Sequence, residues 1–138
     1  PDGSFNPSIP RALRPLLICG SAHRTSRDQL RRALELGVPA VATPAKVGPP
    51  AAIHQALVDQ ALTAIRHHQP DLLIVFGGET AFGVLRALGV EMLWPLREVR
   101  PGIPVSLAGT GGREMMVVTK AGGFGEPADV DRILEQLT

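Results

Sequence analysis

Apolar residues in this chain fall into two patterns that alternate: short continuous runs, and stripes at helical spacing. "LLICGS", from Leu16, is a continuous apolar run closed by Gly-Ser, the pattern of a buried strand. In "TSRDQLRRALELG", Leu30, Ala33 and Leu34 share one helical face and Gly37 stands as a C-terminal stop. Ser26, with Gln29 three residues later, reads as a capping box that opens this helix. "VPAVAT" is a weaker strand pattern. "PPAAIHQALVDQALTAIRHHQP" holds Ile53, Leu57, Ala61, Ala64 and Ile65 at helical spacing, opened by proline and stopped before Pro70. "DLLIVFGG" is the clearest buried strand, of the parallel-sheet kind, and "ETAFGVLRALG" a short apolar helix. "VEMLWPLREV", "GIPVSLAG" and "REMMVVTK" predict three further strands, the last two joined by the turn "GTGG", and "PADVDRILEQL" predicts a closing helix.

Strand–helix alternation followed by a meander and a final helix predicts an α/β three-layer sandwich. Its sheet is mainly parallel (mixed), with Rossmann-like crossovers. Residues 1–15, rich in proline, read as a linker or irregular lead-in, and residues 16–138 as one domain. Right-handed crossovers would put the C-terminal ends of the parallel strands on one edge. The turns "GSAHRTS", "GGET" and "KAGGFG" would then meet at a single rim.

Composition narrows the function. The formal net charge is +1 and the chain has four Phe, one Trp and no Tyr, which removes both the basic footprint and the stacking platforms of a nucleic-acid binder. The cluster Arg24, Arg27, Arg31 and Arg32 reads as a solvated helix face. No apolar run reaches the roughly 18 to 20 residues of a membrane span, and no export leader is visible. Cys19 has no internal disulfide partner. These features suit a cytoplasmic protein without a membrane partner. The chain does not begin with Met, as expected of a processed or excised piece.

Against this background the turns carry the candidate chemistry. Gly77 and Gly78 remove side chains where a strand turns into a helix, so backbone N–H groups at the helix start can meet an anion. Glu79 offers oxygen ligands to Mg²⁺, and Thr80 either a hydroxyl to a phosphate or an N-cap. A plain Gly-Gly turn capped by Thr80 explains the same residues. In the last turn, Lys120 brings a flexible point charge, and Gly122, Gly123 and Gly125 permit a nest of N–H groups around the same anion. The alternative is a glycine turn with Lys120 snorkelling at a strand end. Only two lysines occur among 14 basic residues, which makes the placement of this one conspicuous. Gly20, Ser21 and His23 complete the set. His54, His67 and His68 lie on the second predicted helix without a carboxylate or cysteine at ligand spacing, and read as surface residues rather than a zinc site. Asp71 reads as a turn residue at the opposite end of its strand. There is no GxGxxG, which argues against a dinucleotide oxidoreductase, and neither the phosphate loop GxxxxGK[ST] nor the nucleophile elbow GxSxG occurs.

Taken in order, "GSAHRTSRDQ", "VFGGETAFGVLRALG", "RPGIPVSLAG" and "VVTKAGGFGEP" resemble the C-terminal nucleotide-binding domain of the four-carbon acid sugar kinases, from about Leu16 to the end. The resemblance implies one half of a two-domain kinase. An N-terminal domain would hold a sugar acid such as threonate, erythronate or an oxo-tetronate, and this domain would hold Mg-ATP. It implies nucleotide contacts at Ser21 and His23, at Gly77 to Thr80, and at Lys120 to Gly125. Two departures stand out. His23 occupies a place where the family commonly has a small hydroxyl residue. The family's acidic substrate-domain motif, the expected source of the catalytic base, is absent from these residues, so the chain alone is expected to bind Mg-ATP without phosphorylating a sugar acid. A non-catalytic nucleotide-binding or regulatory module of the same fold is the alternative.

Overall fold

Continuous apolar runs become central strands because both faces of each strand are covered. In the computed structural model, which describes residues 12, 14–43, 48–110 and 113–138, β1 (Pro15–Cys19) and β3 (Leu72–Phe76) lie side by side and parallel. Leu72 to Phe76 are all buried. Alternate residues serve opposite faces, as the strand repeat requires. Leu17, Cys19, Leu72, Ile74 and Phe76 join one hydrophobic cluster, while Leu16, Ile18, Leu73 and Val75 join another.

Each cluster is closed by a pair of helices. α1 (Arg24–Glu35) and α4 (Ala128–Leu137) cover the first through Ala33, Val130, Ile133 and Leu137. α2 (Pro50–His68) and α3 (Gly78–Ala87) cover the second through Leu57, Val58, Ala61, Ala81, Val84 and Leu85. Burying each of the Val, Leu and Ile side chains among these contributes about 1.5–3 kcal/mol, so both faces are strongly committed. The expected three-layer α/β sandwich is the fold observed.

The sheet has six strands in the order β2-β1-β3-β6-β5-β4, where β2 is Ala40–Ala42, β4 Leu93–Arg100, β5 Ile103–Thr110 and β6 Arg113–Lys120. β2, β1, β3 and β6 run parallel; β5 is antiparallel to both β6 and β4. The meander thus forms the far half of a mixed sheet, and its return strand β6 docks beside β3. Residues 111 and 112 of the "GTGG" turn lie outside the described residues, as do residues 1–11 of the proposed lead-in; β5 and β6 remain paired up to Thr110 and Arg113.

From β1 the chain leaves through α1 over one face, and from β3 through α3 over the other. Connections that diverge in this way open a crevice at the C-terminal ends of the two strands, where ligands of open α/β sheets bind.

Candidate functional site

The crevice floor is made where three strands end together. The Gly20 N–H donates to the Phe76 carbonyl at 2.9 Å, and the Gly77 N–H donates to the Lys120 carbonyl at 2.9 Å. The turns after β1, β3 and β6 are therefore joined by backbone hydrogen bonds one step beyond the strands. Gly20 is forced by contact, since a Cβ there would lie 1.8 Å from Thr80 Oγ1. Gly77 is forced by conformation, with φ at +106°.

α3 begins directly above this floor. Its N-cap position is Gly77, and no side chain caps the helix. Thr80 is accordingly not an N-cap; it is the third helical residue, buried, with its hydroxyl packed against Gly20. A helix start without caps leaves the first N–H groups, here Gly78, Glu79 and Thr80, without intrahelical acceptors and gives that end a partial positive charge. Gly78 is open, with nothing within 4 Å of a Cβ placed there.

α1 starts two residues before the expected cap. His23 is its N-cap residue, without a side-chain cap bond, and the His23 N–H donates to Ser21 Oγ at 3.2 Å. The Ser26–Gln29 capping box does not form. Ser26 is fully buried inside the helix, where its hydroxyl donates to the Gly122 carbonyl and receives from Lys120 Nζ. Gln29 Nε2 donates to the Glu126 carbonyl at 2.9 Å. Both polar side chains are drawn to the turn after β6, which competes with the local cap and wins.

That turn packs against the first one. A Cβ on Gly122 would sit 2.6 Å from Ser21 Oγ, and one on Gly123 would sit 3.4 Å from His23 Nδ1. Gly125, with φ at +92°, would bring a Cβ to 2.5 Å from Asp129 Oδ2, and that same oxygen accepts the Glu126 N–H.

A cavity of about 690 Å³ opens over this floor. Of the residues singled out from the sequence, Gly20, Ser21, His23, Gly77, Gly78, Glu79, Thr80 and Gly122 line it. Gly123, Gly125 and Lys120 do not. The expected reach of the Lys120 ammonium toward a phosphate is not the arrangement found. Lys120 is paired in register with Phe76, its side chain is 3% exposed, and Nζ bonds to the carbonyls of Ala121 and Gly122 at 2.9 and 3.0 Å. Burial lowers its pKa from the usual lysine value, since desolvation penalises the ammonium.

One wall was missed. Thr43, at the end of β2, and Pro50, Ile53, His54 and Leu57, on the first turns of α2, complete the lining. His54 is half-buried rather than a free surface residue; its ring lies against α3, where a Cβ on Gly83 would be 2.7 Å from Nε2. A signal for this wall existed in the topology, because a helix that follows a parallel strand starts at the same sheet edge. His67 and His68 are exposed, as expected, and the arginine cluster is largely engaged locally: Arg31 pairs with Asp28, and Arg32 with Asp131 and Glu35.

The wall thus combines open N–H groups, hydroxyls, one carboxylate (Glu79) and an apolar side on α2, a set suited to a ligand with an anionic end and an apolar end. Sequence comparison gives the class. The family model described as nucleotide-binding C-terminal domain matches residues 41–129. The chain belongs to this family. Curated relatives of this nucleotide-binding domain are kinases. It is 43% identical to D-threonate kinase of Cupriavidus necator over 77 residues, 53% of this chain and 18% of the relative. It is 27% identical to the 3-oxo-tetronate kinase of the same organism, over 94% of this chain and 40% of the relative. The chain spans less than half the length of these relatives. They identify it as the C-terminal domain of the four-carbon acid sugar kinase family, as its motifs implied. The fold recurs in a domain of unknown function from Bordetella bronchiseptica, solved with bound citrate, at a TM-score of 0.79 and 21% identity over 92% of this chain and 42% of that one. It recurs again in a Haemophilus influenzae protein, at 0.72 and 17% over 99% and 43%.

Proposed function

We propose that this nucleotide-binding domain holds Mg-ATP in the crevice, as half of a kinase that phosphorylates a hydroxyl of a four-carbon sugar acid of the threonate, erythronate or oxo-tetronate type in the cytoplasm. The observation that carries the reading is the pairing, in one cavity, of the uncapped start of α3 and its glycine turns with the apolar wall of Pro50, Ile53 and Leu57. Phosphates would lie over Gly20, Ser21, Gly77 to Thr80 and Gly122, where main-chain N–H groups and the helix dipole favour negative charge. The nucleobase would lie against α2, beside His54 and Thr43. His23, at the start of α1, borders the phosphate end.

Among the described residues no group of three or more His, Cys, Asp or Glu side chains could hold a metal. The single carboxylate Glu79 on the wall is compatible with Mg²⁺, which keeps several waters and binds largely through substrate phosphates with one or two carboxylates. Glu79 is the carboxylate on the cavity wall and would complete that coordination directly or through water. Phosphoryl transfer asks the protein chiefly for positioning and charge neutralisation, and these residues supply both for the donor. The sugar acid and the base that activates its hydroxyl are assigned to the remainder of the kinase. The kinase relatives favour this reading over a nucleotide-sensing module of the same fold.

Calorimetric titration with ATP, with and without Mg²⁺, and separately with NAD, tests it. ATP is expected to bind, more tightly with Mg²⁺, and NAD not to bind. No ATP binding, or preference for NAD, would overturn the assignment. The isolated chain is expected to leave threonate and erythronate unphosphorylated; turnover at the rate of a competent kinase would refute the division of labour.

A further inference from the structure

Lys120 is the one cation of the last turn, yet it faces away from the cavity. Its ammonium has three N–H donors, and three acceptors surround it: Ser26 Oγ at 3.3 Å, the Ala121 carbonyl at 2.9 Å and the Gly122 carbonyl at 3.0 Å. Nζ also lies 4.5 Å from the centroid of the Phe76 ring, on a face that attracts cations. A charge buried to 3% exposure persists only when it is hydrogen-bonded in this way. Reaching a ligand would mean giving up all of these contacts.

We propose that Lys120 is a positioning residue, a tethered internal cation that fixes the direction of the peptide units at the phosphate end of the site. The peptide group is planar and trans, so a carbonyl and the N–H that follows it point in opposite directions. With the Ala121 and Gly122 carbonyls turned in toward the ammonium, the N–H groups of Gly122 and Gly123 are turned out. No acceptor for either N–H occurs among the described residues. Gly122 lines the cavity beside Ser21, and both glycines lack the Cβ that would collide with Ser21 and His23. The lysine thus acts on an anion through the backbone it orients. Ser26 is the second anchor, bonded to both the ammonium and the Gly122 carbonyl. That the anion is a nucleotide phosphate rests on the function proposed above; the orientation of the turn does not.

The test compares the unmodified chain with Lys120→Met and Lys120→Ala, using ATP and adenosine as calorimetric probes and the amide NMR signals of Gly122 and Gly123 as the structural readout. Lys120→Met is expected to weaken ATP by about tenfold or more, the change produced by 1.4 kcal/mol, and to leave adenosine within about twofold. The glycine amide signals should shift already in the ligand-free variant. In Lys120→Ala, added n-propylammonium should restore part of the ATP affinity and return those signals toward their original positions. Unchanged ATP affinity, equal loss of adenosine, or glycine signals that stay in place would each overturn the proposal. Should the variants fail to fold, the unmodified chain decides. On raising the pH, the Gly122 and Gly123 signals should move with deprotonation of Lys120, below the range of free lysine. Asp129 and Cys19 also act on the charge of the ammonium, so Cys19→Ala serves as the control for a contribution from the thiol. Glycine signals that do not follow the amine would overturn the proposal. Should ATP not bind the unmodified chain at all, the nucleotide reading falls, while the ligand-free signals still judge the role of Lys120.

Discussion

Gly20 and Gly78 occupy the same crevice for different physical reasons, and substitution separates them. An alanine methyl at position 20 would fall 1.8 Å from Thr80 Oγ1 and 2.7 Å from Thr80 Cβ. Thr80 is buried on a helix and cannot swing aside. Gly20→Ala is therefore expected to destabilise the fold by about 1–3 kcal/mol, the usual cost of overpacking, measured by urea unfolding. Adding Thr80→Ala should recover only part, because the Cβ of residue 80 remains. At position 78 a methyl meets nothing, and alanine is preferred to glycine within a helix by up to about 1 kcal/mol. Gly78→Ala should keep or raise the melting temperature while weakening ATP, since the methyl stands where a phosphate would approach. Retained stability with unchanged ATP affinity would remove Gly78 from the site. The sequence could not distinguish these glycines, because what sets them apart is Thr80, sixty positions away from one and two from the other.

At the level of elements, α1 shows where local rules yield. Ser-x-x-Gln before an apolar stripe is a sound start signal, yet the helix starts at Arg24 and buries both residues. The reason lies in β6 and the turn after it, whose lysine and carbonyls offer these side chains long-range partners. Ser26→Ala discriminates the two roles. Were Ser26 a cap, its loss would fray the first turn of α1 at about 1 kcal/mol. As an internal anchor, its loss should leave exchange of the α1 amides unchanged and shift the amide signals of Gly122 and Gly123, followed by NMR. The central strands were legible because parallel strands covered on both faces must be apolar throughout, and "LLIVF" leaves little choice. The α2 wall was not, because Ile53 carries the same helical signature as the core residue Leu57 one turn on; only the path of the chain through β2 tells them apart. The glycine turns at the cavity floor were legible from their positions after apolar runs, whereas the direction of the Lys120 side chain depends on its pairing with Phe76.

Over the whole molecule, α1 and α4 are clamped on one face of the sheet by Arg32, whose guanidinium meets Asp131 at 2.9 and 2.7 Å. The hydrogen bond from Arg32 holds the Asp131 carboxyl below its usual range. A depressed folded pKa means the clamp is present above about 3.9, the ordinary carboxylate value, and is lost as pH falls through the lower folded value. Asp131→Asn should lower the melting temperature slightly at neutral pH. The difference should close in strong acid and shrink with added salt, because both partners are partly solvated. A gap that persisted in acid would assign the effect to packing instead. The mixed sheet and its layers were read from alternation alone; the order of strands, with β6 inserted beside β3, needed the folded chain, since hydrophobic runs do not record their neighbours.

The hydrogen bonds that tie Gly20 to Phe76 and Gly77 to Lys120 carry the ladder of the three central strands into the crevice. The crevice floor is consequently continuous, through backbone hydrogen bonds, with the most deeply buried part of the protein. A ligand in that crevice would touch turns that are hydrogen-bonded directly to the ends of the strands. Occupancy should therefore slow exchange of the β1, β3 and β6 amides together, as one cooperative block, instead of quieting a single mobile segment.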